Sequence, residues 1–100
     1  MQVQTELTFF GLDHNESAEA AVSRWVARLE HMHHRLFKCE VVIGHPRSRP
    51  RDYRVHVQIE GQGVELASNA EHDDIYLAIA DAFRAAHRQL RTTTEVRLAS

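Results

Sequence analysis

Hydrophobic and polar residues alternate with a period of two over residues 3–10, 37–43 and 53–60, and with a period near 3.6 over two longer stretches. In the first stretch Val3, Thr5, Leu7 and Phe9 fall on one side and Gln4, Glu6, Thr8 and Phe10 on the other, which predicts a half-buried strand closed by Gly11. Phe37, Cys39, Val41 and Ile43 share one face of a second strand. Tyr53, Val55, Val57 and Ile59 point inward from a third, with Arg54, His56, Gln58 and Glu60 outward. A short turn at 61–63 leads to a fourth strand from Val64 to about Ala70. Between the second and third strands GHPRSRPRD (44–52) has no period and reads as a loop.

The helical stretches are equally plain. Ala18, Val22, Val26, Leu29 and Leu36 make an apolar stripe over a helix predicted at 16–34, with Met32 or His33 filling the gap and Asn15 as its N-cap. Trp25 lies at the edge of that stripe beside Arg24 and Arg28. Ile75, Ile79, Ala82, Phe83, Ala86 and Leu90 form the stripe of a second helix over 73–91. Asp73 and Asp74 stand where it begins, suited to its free N–H groups, and Arg84, His87, Arg88 and Arg91 crowd its last turns, where cations suit the negative end. The following TTTEVRLAS has strand-like content without a partner.

The order is therefore β-α-β-β-β-α, an α+β fold: a four-stranded mixed sheet with two helices packed on one face. A helical crossover allows the first two strands to be parallel, and the other connections are hairpins. One domain is expected over residues 1–91, with 92–100 as a C-terminal tail. An apolar fraction of 43% and a charged fraction of 26% are those of an ordinary soluble globular chain. No apolar run approaches the roughly 18–20 residues of a membrane span, and no basic-then-apolar leader opens the chain. A single cysteine permits no internal disulfide, so a cytoplasmic location is expected.

Charge changes the picture more than composition does. The formal net charge is only −2, yet all 12 Lys and Arg residues lie in 24–54 and 84–100, while 1–23 and 55–83 carry acids alone. Segregation of this kind suits an anionic partner. Catalytic chemistry finds no purchase. Cys39 alternates into the core, Asp73 and Asp74 read as caps, and there is no glycine-rich phosphate loop or nucleophile elbow. No enzyme activity, cofactor or small-molecule substrate is expected. His31, His33 and His34 do not complete a metal site, since 33 leaves the face that 31 and 34 share. They are read instead as protonatable charge.

The stretch 66–90 carries a resemblance. Leu66, Ser68, Ala70, Asp74, Ile75, Tyr76, Ala78, Ile79, Arg88, Gln89 and Leu90, with Ala27-Arg28-Leu29-Glu30 and Val41-Val42 upstream, fit the spacing of a known family. The chain resembles the ribosome hibernation-promoting factor and ribosome-associated inhibitor A family over about residues 3–91. That resemblance implies a bacterial protein of this fold that binds the small ribosomal subunit and its rRNA in the decoding (mRNA/tRNA) channel, under stress or in stationary phase. Translation would be inhibited by steric occlusion. A weak homodimer is compatible with it, and no membrane is involved. The resemblance places Arg28 and Arg88 at basic family positions. Trp25 and Ala85 stand where basic residues are frequent, with Arg24 and Arg84 one residue earlier, a step that turns a helical side chain by about 100°. The rival is a protein-interaction module of the same fold that has lost ribosome binding.

Gripping rRNA requires several phosphates neutralised at fixed spacing. The candidates are Arg84, Arg88 and Arg91 on one helical face, Arg24, Arg28 and Arg35 as a row on the first helix, and the loop arginines Arg47, Arg49 and Arg51 as a mobile third element. Trp25 either completes the core edge or offers a stacking platform to an unpaired base. Tyr76 is expected to anchor the start of the second helix.

Overall fold

Strand-forming residues supply one continuous apolar surface, and both helices close over it. The computed structural model describes residues 3–99, and side chains as far as Thr92. The elements are β1 (Gln4–Phe9), α1 (Glu16–Met32), β2 (Leu36–Gly44), β3 (Tyr53–Gly61), β4 (Val64–His72) and α2 (Ile75–Ala99). They form a four-stranded sheet in the order β1-β2-β3-β4. β1 runs parallel to β2, and the other two pairings are antiparallel. The predicted α+β architecture is the one observed.

Asn15 caps α1 as expected: its backbone is extended and its side chain accepts from the Ala18 N–H at 3.0 Å. The helix stops at Met32, because His33 is extended (φ −134°) and its N–H returns to the Leu29 carbonyl. Arg35 and Leu36 thus lie beyond the helix, not on it as the stripe suggested. Leu36 is nonetheless buried, as the first residue of β2. An irregularity in the β2–β3 register between Leu36 and Lys38 leaves Phe37 48% exposed, whereas Cys39, Val41 and Ile43 are buried as predicted. One extra residue in a strand reverses the facing of whatever precedes it, which is why Phe37 departs from the pattern.

Only one of the two predicted aspartates caps α2. The Asp74 Oδ1 accepts from the N–H groups of Tyr76 (2.8 Å) and Leu77 (3.3 Å), while Asp73 turns to the His72 ring at 2.7 Å. The Tyr76 side chain is exposed, so the helix start is held through its backbone, not its ring. The whole apolar stripe of α2 is buried, and Ala78 joins it. On the sheet side Ser68 replaces an apolar residue and donates to the Ala82 carbonyl at 2.7 Å, so this buried hydroxyl is satisfied. The backbone remains helical to Ala99, eight residues beyond the expected end. The side chains of 93–99, and Ser100, on which part of the tail reading rests, lie outside the described residues.

Candidate nucleic-acid interface

Topology sets the polarity of the basic groups. α1 leaves the C-terminal end of β1 and α2 leaves the C-terminal end of β4, and the pairing puts those two ends together. The helices therefore start at the same end of the sheet and run side by side in the same sense. Residues late in α1 meet residues in the middle of α2.

Trp25 marks the meeting line. Its half-buried indole stacks on the buried Phe83 ring, with centroids 5.9 Å apart and planes 10° apart. The Arg28 guanidinium carbon lies 4.9 Å from the indole centroid and that of Arg84 lies 5.9 Å from it, one from each helix. Two cations on one ring are each attracted by its π-face, at about 0.5–1 kcal/mol for exposed groups. The two helical ridges are thus adjacent, as an RNA-gripping band requires. Arg24 stands one turn before Arg28 and Arg88 one turn after Arg84, and all four are exposed.

Neighbouring acids do little to occupy these groups. Arg84 approaches Asp81 at 3.8 Å, both exposed, an arrangement worth little in water. Among the described residues no ion pair engages Arg24, Arg28 or Arg88. Because α2 continues to Ala99, Arg84, Arg88 and Arg91 lie well inside the helix, not in its last turn. The macrodipole interaction, which falls off within one turn, therefore does not explain them.

The other candidates lie apart. Arg35 is exposed in the turn after α1, its carbonyl accepting from the Gln62 N–H at 2.9 Å. Arg47, Arg49 and Arg51 are exposed in the β2–β3 connection, at the end of the sheet where the helices begin, away from Arg35 and Arg88. That loop is built from turns: the Arg49 N–H donates to the Pro46 carbonyl, the Asp52 N–H donates to the Arg49 carbonyl, and the His45 ring bonds the Asp52 carbonyl at 2.8 Å. Arg49 reaches Asp52 at 4.0 Å. The two helical rows thus lie side by side, and the loop arginines, the third element, stand apart from them at the other end of the sheet.

The histidines divide. His31 and His34 are exposed, but His33 packs edge-on to His87 of α2 at 5.9 Å, and its Nε2 is buried without a hydrogen-bond partner. Burial, followed by the nearby His87 and His34, lowers the His33 pKa from its ordinary value of 6.5. The protonated form of His33 is therefore disfavoured, which makes it a poorer source of charge than the sequence suggests. Burial pushes the Cys39 thiol up to about 12, which leaves it inert. Among the described residues no three His, Cys, Asp or Glu side chains converge on a common ion position, and no helix is long and apolar enough to cross a membrane.

Sequence reasoning passed over a second cluster, on the sheet face away from the helices: Phe10, Gly44, His45, Arg54, His56 and Asn69. Its signal was an apolar residue, Phe10, at a polar position of the alternation.

Comparison with known proteins agrees with this architecture. Residues 5–97 match the family described as Sigma 54 modulation protein / S30EA ribosomal protein. The fold is similar to that of a ribosomal subunit interface protein from Coxiella burnetii (TM-score 0.83, 14% identity, covering 93% of this chain and 99% of that one). It is also similar to the N-terminal domain of Protein Y from Thermus thermophilus (TM-score 0.76, 20% identity, 93% and 99% coverage). No curated protein matches the sequence.

Proposed function

This chain belongs to the Sigma 54 modulation protein / S30EA ribosomal protein family, and we propose that it binds the small ribosomal subunit through rRNA and inhibits translation by occupying the decoding channel. The observation that carries the reading is the convergence of Arg28 and Arg84 on Trp25, which joins the basic ridges of two helices into one band. A structural relative described as a ribosomal subunit interface protein supports a ribosomal partner. A band of this kind recognises the regular spacing of phosphates and not a base sequence, so affinity would come from released counterions.

Inhibition requires no chemistry. A folded domain 44 Å in its longest dimension, seated where mRNA and tRNA pass, excludes them by volume. The protein would reside with ribosomes in the cytoplasm.

The test is co-sedimentation with isolated small subunits, repeated with mRNA and tRNA already bound. Pelleting of the free subunits that is lost when the channel is filled supports the reading. Equal pelleting with filled subunits would reject the channel. No pelleting at any salt concentration would favour a module that binds proteins instead.

A further inference from the structure

The sheet face opposite the helices is not uniform. Register places Gln4, Lys38, Glu60 and Glu65 in one cross-strand row and Glu6, Glu40, Gln58 and Ala67 in the next. These rows hold four carboxylates and a single cation. The next two rows contain Thr8, Val42, His56 and Asn69, then Gly44, Arg54 and Glu71, with Phe10 continuing β1 beside Gly44. The acidic rows and the cationic, aromatic rows occupy opposite ends of one surface.

At the second end lies a cavity of about 350 Å³, within the roughly 300–1,000 Å³ of small-ligand sites. Phe10 forms one wall and is 74% exposed, although burial of such a ring is favourable. Its backbone is fixed, because the Phe10 N–H donates to the Ile43 carbonyl at 2.8 Å. The adjoining floor is Gly44, where even a Cβ would sit 3.3 Å from the Phe10 carbonyl oxygen. Arg54 is exposed, and although Glu71 faces it across the strands, no ion pair joins them.

The polar edge of this cavity is oriented. His56 Nδ1 lies 2.8 Å from Asn69 Oδ1. An amide oxygen only accepts, so Nδ1 carries the proton; in the neutral ring Nε2 is then left as an acceptor, and the Asn69 amide nitrogen remains a donor. An exposed aromatic plane, an acceptor–donor pair and a guanidinium make up the recognition set for an unpaired nucleotide. The plane stacks a base, the pair reads its edge, and the cation takes its phosphate.

We propose that this pocket binds one unpaired nucleotide: its base against Phe10, its edge toward His56 and Asn69, and its phosphate on Arg54. The adjoining β2–β3 loop sets the direction of a longer strand. Arg47, Arg49 and Arg51 project from the connection that begins at His45, so flanking phosphates run toward the loop and away from Glu6, Glu40, Glu60 and Glu65. The site is separate from the helix band and does not rest on the ribosome reading.

The experiment uses the full chain bearing Arg28→Glu and Arg88→Glu, so that RNA bound on the helices does not mask the sheet. Backbone amide NMR shifts are followed during titration with adenosine 5′-monophosphate, single-stranded hexa-adenylate and, as the rival polyanion, a hexa-glutamate peptide. Saturable shifts at Phe10, Gly44, Arg54 and His56 are expected with the nucleotide ligands. Phe10→Ala should weaken binding roughly tenfold, in line with about 1–3 kcal/mol per stacked base, and because Phe10 is exposed the variant keeps its fold. Arg54→Gln should weaken both phosphate-bearing ligands, whereas a parallel titration with adenosine, which lacks the phosphate, should be unaffected. A much higher affinity for hexa-adenylate identifies the source as an RNA strand, whereas equal affinity identifies a free nucleotide. Unshifted sheet amides, shifts insensitive to Phe10→Ala, or preference for the peptide would each overturn the proposal.

Discussion

The indole of Trp25 lies parallel to the ring of Phe83, 5.9 Å away centroid to centroid, and so joins α1 to α2 at mid-length. Phe83 is fully buried while Trp25 is half-exposed, so the pair runs from the core to the surface. Replacing Trp25 with Ala removes the stack that joins the two helices. Chemical denaturation should show a loss of about 2–4 kcal/mol, near the lower end for large aromatic truncations because the ring is partly exposed. Trp25→Phe should recover more than half of that loss. Because Trp25 is the sole tryptophan, its fluorescence should also change when RNA draws Arg28 and Arg84 from its ring.

The two aspartates before α2 differ in kind, since only Asp74 accepts from the first turn of the helix. Asp74→Ala should lower stability by about 1 kcal/mol. Asp73→Ala should change it by less than about 0.5 kcal/mol. Equal effects would mean that both act as caps.

The irregular start of β2 makes a similar contrast. Leu36 is 5% exposed and Phe37 48%, so Leu36→Ala should cost about 2–5 kcal/mol and Phe37→Ser under about 1 kcal/mol. Close by, a Cβ on Gly61 would meet the Arg35 carbonyl oxygen at 2.7 Å and the Leu36 Cα at 3.1 Å. Backbone cannot yield as a side-chain tip does, and Gly61→Ala should destabilise by about 1–3 kcal/mol.

His33 should make stability depend on pH. Its folded pKa is lowered from 6.5 by burial, then by His87 and His34, so below pH 6.5 the unfolded chain binds a proton that the folded chain resists. Stability is then full above that pH and declines as pH falls through the window beneath it. Thermal melts between pH 7.5 and 5 should show this decline, and His33→Leu should flatten it. A melting temperature that rises on acidification would contradict the assignment.

Periodicity conveyed the order of elements because each buries one face, and the residues from Val55 to Ile59 and from Ile75 to Leu90 met their expected surroundings. It put Leu36 on the first helix, which ends at Met32, and turned Phe37 inward, since a one-residue irregularity reverses facing without changing composition. It ended α2 early, where Thr92, Thr93 and Thr94 read as strand formers, although the Thr92 hydroxyl in fact donates to the Arg88 carbonyl within the helix. The basic positions could be grouped along each helix from the sequence, but not across the two helices. Which helix faces lie side by side depends on the parallel course of α1 and α2, a tertiary fact. That course brings Arg28 to Arg84 and leaves Arg47, Arg49 and Arg51 at the far end.

The most direct measurement is the affinity for isolated small ribosomal subunits as a function of salt, for the natural chain and for Arg28→Glu with Arg88→Glu. Contact with about five phosphates predicts a slope of log affinity against log salt of roughly −3.5 to −4.5. Reversing two of the cations should flatten that slope by about 1.4–1.8 while leaving the thermal melt unchanged, because both side chains are exposed. A slope near zero, or a steep slope indifferent to the reversals, would contradict the account.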